Sequence, residues 1–313
     1  MLKSLFKKKP RAKNWSQNPV DLPWTDQPDA IEKLDSMLRA GKLDPSTGEL
    51  VRKWIDDGYC VAKGHTDLSV IDAINQELDN AWTTDKPIEN LTFNDVYMKE
   101  GEPPVHIVPH RDIVALPPAE RMEVRARGKF RVHGYHMQSP MAEKLFRNKK
   151  LQELVSLLLG VDTPPLYSIS FTWGSRHGIH QDLMVFHVHP ANYLIGAWIA
   201  MEDIDSECGP VVYYPGSHRE AIYREYNNYP QTNLRTSDDA LRKRYEADLA
   251  RIGEKYERHQ FTAKKGDVLL WHAMLLHGGD DIVDTSKTRR SFVIHYVPTE
   301  FNKAEEVVGP FMW

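Results

Sequence analysis

The spacing of apolar residues changes character about halfway along the chain. In "AIEKLDSMLRAGKL", starting at Ala30, Ile31, Leu34, Met37 and Leu38 fall on one face of a helix. In "STGELVRKWIDDGY", Ser46 and Glu49 have the spacing of a capping box and Gly58 is placed to close the helix. A stronger amphipathic helix follows in "DLSVIDAINQELDNAW", with Leu68, Ile71, Ile74, Leu78 and Trp82 turned inward. The intervening "YCVAKG" reads as a short strand. Residues 83–130 are Pro-rich and show no clean period, so an irregular segment is expected. Helical spacing returns over 139–160 and stops at Gly160.

Beyond Gly160 the runs become β-branched and aromatic, separated by Gly, Pro and Asp: "PLYSISFTW", "YLIGAWIAME", "PVVYYPGSH", "DVLLWHAMLLH" and "RRSFVIHYVP". Residues 219–258 interrupt this texture. They are highly charged, of both signs, and carry Tyr223, Tyr226, Tyr229, Tyr245 and Tyr256, which suits either a solvated excursion or a helical lid. The pattern predicts a basic, irregular arm over 1–29 and one domain over 30–313. That domain is mainly β with flanking α, its helical part spanning about 30–160 and its β core about 161–300.

Composition narrows the possibilities. Of 313 residues, 41% are hydrophobic and 27% charged, which permits a sizeable core. The net charge of -4 gives no global basic field, so nucleic acid is not expected as a partner. Cys60 and Cys208 are the two cysteines; they supply neither a disulfide framework nor a cysteine zinc cluster, and a reducing cytoplasm is expected. No apolar run is long enough for a transmembrane segment. The first fourteen residues carry six basic side chains and no acid, read as a solvated tail, with anionic-membrane contact or targeting as the sharper alternatives.

Candidate chemistry concentrates in "HQDLMVFHVH", residues 180–189. On a strand, His180 and Asp182 at i and i+2 project to one face. His187 and His189 share that spacing without a carboxylate and precede a turn, so they are read as solvated, or as contacts to a ligand's periphery or substrate. A third donor is expected from "VLLWHAMLLHGGDD", where His277 ends an apolar run and precedes Gly278-Gly279. His272 is read as packed within its strand. Two histidines and a carboxylate on one face of an octahedron leave three positions open, as in non-haem Fe(II) oxygenases, although the same donors can hold zinc. Arg289 or Arg290 at the base of the barrel could grip the far carboxylate of 2-oxoglutarate; the other is read as a surface ion pair.

"SRHGIHQDL", "AWIAMEDID", "GPVVYYPGSHR", "LLHGGDD" and "RRSFVIHY", in this order and spacing, resemble the phytanoyl-CoA dioxygenase family over roughly residues 50–300. The resemblance implies a double-stranded β-helix, a cupin-like jelly roll, with helices packed outside. It implies iron on His180, Asp182 and His277, and 2-oxoglutarate held by Arg289, with Trp198 and Gln181 at the co-substrate. Ser217 and His218 of "PGSH" are expected to be structural. Many members carry a serine or threonine two residues after the distal histidine. Here that position is Gly279, so another hydroxyl, from a Tyr or Thr, is expected to substitute, or Arg289 acts with less help. Asp182 disfavours halogenation, because related halogenases lack that carboxylate.

The expected activity is hydroxylation of a small-molecule C–H using O2, Fe(II) and 2-oxoglutarate, with succinate and CO2 released. Two other classes use the same residues differently: a zinc hydrolase or isomerase, which has no need of Arg289, and a non-catalytic binding barrel.

Overall fold

A computed structural model describes residues 22–175, 177–184, 186, 188, 190, 192–220 and 238–301. Residues 1–21 of the arm expected over 1–29, the histidines 187 and 189, and part of the proposed lid lie outside the described residues.

The amphipathic segments form helices where the spacing places them. Helix α1 runs Ala30–Arg39, α2 Pro45–Asp57 and α3 Leu68–Thr83. The cap of α2 differs from expectation. Asp44, not Ser46, accepts from the Thr47 amide at 2.9 Å, because Pro45 opens the helix one residue earlier and needs no amide partner. Gly58 ends α2 at φ 77°, and any side chain there would collide with the His218 ring. On α3 Leu68 is exposed rather than inward, since it opens the helix at the molecular surface; Val70, Ile71, Ile74 and Trp82 are buried.

Residues 83–130 are not irregular. They hold strands β2 (Thr92–Val96) and β3 (Val105–Pro109) and helices α4 (His110–Val114) and α5 (Pro118–Ala126). The helix expected over 139–160 is two, α6 (Pro140–Phe146) and α7 (Lys149–Leu159), with Asn148 capping the second through the Leu151 amide. Gly160 stops it at φ 78°.

The remaining strands are β1 (Tyr59–Ala62), β4 (Arg131–His133), β5 (Pro165–Phe171), β6 (Ile195–Ala200), β7 (Val211–Tyr213), β8 (His259–Phe261), β9 (Val268–His272), β10 (His277–Gly279) and β11 (Ser291–Tyr296). Every pairing among them is antiparallel. The larger sheet has eight strands in the order β1-β9-β6-β11-β5-β4-β2-β3, and the smaller has three, β10-β7-β8. The β core therefore draws four strands from the half expected to be helical.

The two sheets face each other. Between them pack Tyr59, Trp198, Trp271 and Val293 from the larger sheet and Val211, Tyr213 and Phe261 from the smaller. The larger sheet's other face buries Cys60, Ala197, Leu270, Phe292 and Ile294 against Leu34, Trp54, Ile71, Trp82 and Leu158 of the helices. This is the double-stranded β-helix with helices outside. Alternation along β11 separates the two cores: Phe292, Ile294 and Tyr296 meet the helices, while Ser291, Val293 and His295 point into the barrel.

The arm expected over 1–29 is docked at its end. Trp24–Asp26 form a 3-10 turn, with Trp24 and Thr25 donating to the carbonyls of Leu157 and Leu158. Among the described residues, no helix is long and apolar enough to cross a membrane.

Candidate active site

His180, Asp182 and His277 converge in the barrel. One donor atom from each lies within 4.8 Å of the others. His180 Nε2 is 3.7 Å and His277 Nε2 is 3.4 Å from Asp182 Oδ1. Donors about 2.1 Å from one ion stand about 3.0–3.5 Å apart, so small adjustments suffice to enclose a metal. The segment carrying His180 and Asp182 is not a regular strand. His180 forms a single bridge to His277, and Asp182 opens a 3-10 turn over Asp182–Met184. That bridge, His180 N to His277 O at 2.9 Å and the reverse at 3.0 Å, brings the two imidazoles side by side.

Backbone carbonyls fix both rings. His180 Nδ1–H donates to Gly178 O at 2.8 Å and His277 Nδ1–H donates to Leu275 O at 3.0 Å. Since a carbonyl only accepts, each Nδ1 carries a proton and each Nε2 is turned toward Asp182. Burial, with His277 beside it, pulls His180 down to about 4, so its imidazole is neutral and able to ligate near neutral pH. Burial pushes Asp182 up, but His277 and His295 outweigh it and hold the carboxylate well below the ordinary range.

The other carboxylate oxygen is also held. Trp271 Nε1–H donates to Asp182 Oδ2 at 2.7 Å, and His295 Nε2 lies 3.3 Å from the same atom. Oδ2 is thereby engaged, leaving Oδ1 toward the two imidazoles. Neither Trp271 nor His295 was singled out from sequence. Their signal was their inward parity, on β9 and β11, on the strands that carry the site.

Arg289 is 2% exposed, and Nε has no hydrogen-bond partner among the described residues. Its guanidinium lies 5.5 Å from the Trp198 ring centre and 5.9 Å from that of Phe171. Burial lowers it only to about 10, so it is charged near neutral pH. A buried cation with no ion pair among the described residues calls for an anionic ligand. Arg290 is the one with an ion pair, both its terminal nitrogens 3.0 Å from Asp79 oxygens on the helix side. Trp198 Nε1 is likewise buried without a partner.

Gln181 points away from this pocket. Its Nε2 donates to Met274 O at 2.8 Å and its Oε1 accepts from Tyr245 Oη at 3.1 Å. Tyr245 belongs to α8 (Asp239–Gly253), the described part of the expected lid. Tyr245, Leu249 and Ile252 pack on Leu276 and Ile179, immediate neighbours of His277 and His180. Helix α8 thus supports the site from behind. As expected, Ser217 is structural, its Oγ accepting from the Leu276 amide at 2.9 Å, and His272 is packed, its Nε2 3.1 Å from Asp26.

Beside the triad, the barrel wall is polar. Arg131 and His133 of β4 share the inward face with Phe171 and Ile169. Arg131 pairs with Asp95 and lies 3.3 Å from His177 Nε2; the His177 ring centre is 6.1 Å from that of His180. His133 contacts the Tyr167 hydroxyl. Burial lowers both His133 and His177 to about 3, so both imidazoles are neutral.

An antiparallel double-stranded β-helix with a clustered His-Asp-His set and a buried arginine defines the class, and solved structures share that fold. The non-heme alpha ketoglutarate dependent carbocyclase SnoK from nogalamycin biosynthesis superposes with a TM-score of 0.58 at 18% identity, over 83% of this chain and 85% of that one. EctD from S. alaskensis, crystallised with bound Fe, gives 0.56 at 18% identity over 83% and 78%. Within this class, the chain belongs to the phytanoyl-CoA dioxygenase (PhyH) family, whose sequence profile matches residues 54–291. Peroxisomal phytanoyl-CoA dioxygenase of Mus musculus is 33% identical over 104 residues, covering 33% of this chain and 28% of the relative. The phytanoyl-CoA dioxygenase domain-containing protein 1 homolog of Caenorhabditis elegans is 28% identical over 185 residues, covering 56% and 60%. The matched region thus spans between about a quarter and three fifths of these relatives' length.

Proposed function

We propose that this chain is an Fe(II)- and 2-oxoglutarate-dependent oxygenase that hydroxylates a small-molecule substrate. The observation carrying the reading is the coexistence of the His180, Asp182 and His277 donors with the buried Arg289, whose Nε has no hydrogen-bond partner among the described residues, on one barrel interior. The donor set suits iron, with two imidazoles, one carboxylate oxygen and room for further ligands. When bound, Fe(II) and 2-oxoglutarate supply the chemistry that activates O2 and oxidises a C–H bond, releasing succinate and CO2.

The chain's own residues bind and orient. His180, Asp182 and His277 hold the metal; Arg289 receives the far carboxylate of the co-substrate, flanked by Trp198. Arg131, His133, His177 and Tyr167 border the substrate, and the apolar packing between the sheets limits water. A zinc hydrolase would leave Arg289 charged, buried and unused. Cys60 and Cys208, both free and buried, suit a reducing compartment such as the cytoplasm.

The test is an anaerobic titration of Fe(II)-loaded protein with 2-oxoglutarate, followed by O2. A visible metal-to-ligand charge-transfer band and subsequent succinate release are expected. Iron binding with no band at any 2-oxoglutarate concentration overturns the reading and favours a hydrolase or a binding barrel.

A further inference from the structure

His272 ends β9, the strand whose Trp271 holds Asp182, and its imidazole is gripped from both sides. Its Nδ1 accepts from the Met274 amide at 3.0 Å, so that nitrogen carries no proton of its own. Its Nε2–H donates to Asp26 Oδ2 at 3.1 Å, and Asn192 Nδ2 donates to the same oxygen at 2.6 Å. The His272 and Asp26 side chains are 1% and 6% exposed. The rings of His218 and Trp54 pack 5.3 Å and 5.7 Å from the imidazole, centre to centre. A carboxylate facing Nε2 keeps the proton there and leaves the Nδ1 lone pair to the Met274 amide.

That amide belongs to a tight turn at the crossing from β9 to β10. Leu275 N donates to His272 O at 2.8 Å, so the backbone and the side chain of His272 together hold the residues that follow it. Two consecutive carbonyls of the turn reach the metal site. Met274 O accepts from Gln181, which stands between His180 and Asp182, and Leu275 O accepts from His277 Nδ1–H. A displaced turn would therefore shift the His277 ring and the segment carrying the other two ligands. Asp26 itself lies upstream of the residues matched by the family profile.

Resting on the metal-site reading above, we propose that Asp26 and His272 are positioning residues for the metal ligands. Asp26 fixes the tautomer of His272, and His272 fixes the turn whose carbonyls orient His277 and Gln181. Both act through Met274 and Leu275, and the 3-10 turn at the N-terminal edge of the domain becomes part of what shapes the site.

Two substitutions of His272 separate its two contacts. An asparagine accepts readily from the amide two residues on, so His272→Asn keeps the Met274 bond and gives up Asp26. His272→Gln reaches Asp26 but leaves the Met274 amide without its acceptor. Anaerobic Co(II) titrations, with the visible Co(II) spectrum reporting donor geometry, are made on proteins shown to be folded by urea unfolding. His272→Gln and Asp26→Asn are each expected to weaken Co(II) binding about tenfold or more and to alter the spectrum. His272→Asn is expected to retain the wild-type affinity and spectrum, and adding Asp26→Asn to it should change neither. Wild-type affinity and spectrum in folded His272→Gln, or equal losses in His272→Gln and His272→Asn, overturn the assignment and leave the network purely structural. Wild-type values in folded Asp26→Asn remove Asp26 from the role; where that protein does not fold, the two His272 variants decide. Absence of Co(II) binding in wild type overturns the metal-site reading with it.

Discussion

Trp271 and Asp182 form a direct buried hydrogen bond, the indole Nε1–H donating to Oδ2 at 2.7 Å, while the indole ring centre lies 4.5 Å from that of His277. One side chain therefore touches two of the three candidate metal ligands. The placement depends on the neighbouring strand: Trp271 pairs with Gly196, where a Cβ would come within 2.4 Å of the indole. Glycine at 196 leaves the space that the ring fills.

Trp271→Phe retains an aromatic ring but removes the donor, leaving Oδ2 with His295 alone. Losing such a support of a ligating carboxylate is expected to weaken metal binding about 10–100-fold. Gly196→Ala, whose Cβ would come within 2.4 Å of Trp271 Nε1, is expected to reproduce the loss by displacing the indole. Anaerobic Fe(II) or Co(II) titrations check both. Wild-type metal affinity in both proteins would mean that Asp182 is oriented without the indole.

The bond from Tyr245 to Gln181 makes a separate prediction about α8. Tyr245→Phe leaves Gln181 Oε1 buried without its donor, a cost of about 1–3 kcal/mol. Urea unfolding should report that loss. The midpoint for 2-oxoglutarate should stay near wild type, because the Gln181 amide faces α8 and Met274. A large shift in that midpoint at unchanged stability would return Gln181 to the co-substrate.

Arg289 is expected to dominate co-substrate recognition. Arg289→Ala removes the pocket's cation and should raise the 2-oxoglutarate concentration needed for half-saturation by about 10–100-fold, leaving Fe(II) affinity near wild type. Parallel titrations of metal and co-substrate distinguish this from collapse of the site, which would weaken both.

How far the sequence could be read depended on what each position faces. His180, Asp182, His277 and Arg289 were legible because ligand-type residues stand at fixed spacing beside apolar runs. The β2, β4 and β5 pairing was not, because Asn94, Arg131 and His133 turn polar groups inward at the barrel mouth and remove the apolar alternation that marks a strand. In "VLLWHAMLLHGG" the difficulty was reversed. Val268–His272 belongs to the larger sheet and His277–Gly279 to the smaller, with Ala273–Leu276 crossing between them, but every residue from Val268 to Gly278 is buried, so no periodicity marks the crossing. The partners of Gln181, Met274 O and the Tyr245 hydroxyl, lie on segments distant in sequence and leave no local signal in "HQD".

Asp26 gives the last prediction, for stability rather than catalysis. Its side chain is buried beside the 3-10 turn preceding α1, with Asn192 Nδ2 donating to Oδ2 at 2.6 Å and His272 Nε2 at 3.1 Å. Burial raises its pKa, but His272, His218 and Asn192 outweigh that and hold it below the ordinary carboxylate value. A carboxylate depressed in the folded state stabilises fully above its unfolded pKa of about 3.9, and the contribution is lost as pH falls through the lower folded value. Asp26→Asn should therefore destabilise the protein by about 3 kcal/mol at pH near 7, the order expected for breaking a buried charged contact. The gap between wild type and variant should hold down to a pH of about 4 and narrow below it, as wild type loses its own carboxylate. Urea unfolding of both proteins across that range is the check; a gap that widened on acidification would mean that the charge of Asp26 is not what ties the N-terminal turn to β9.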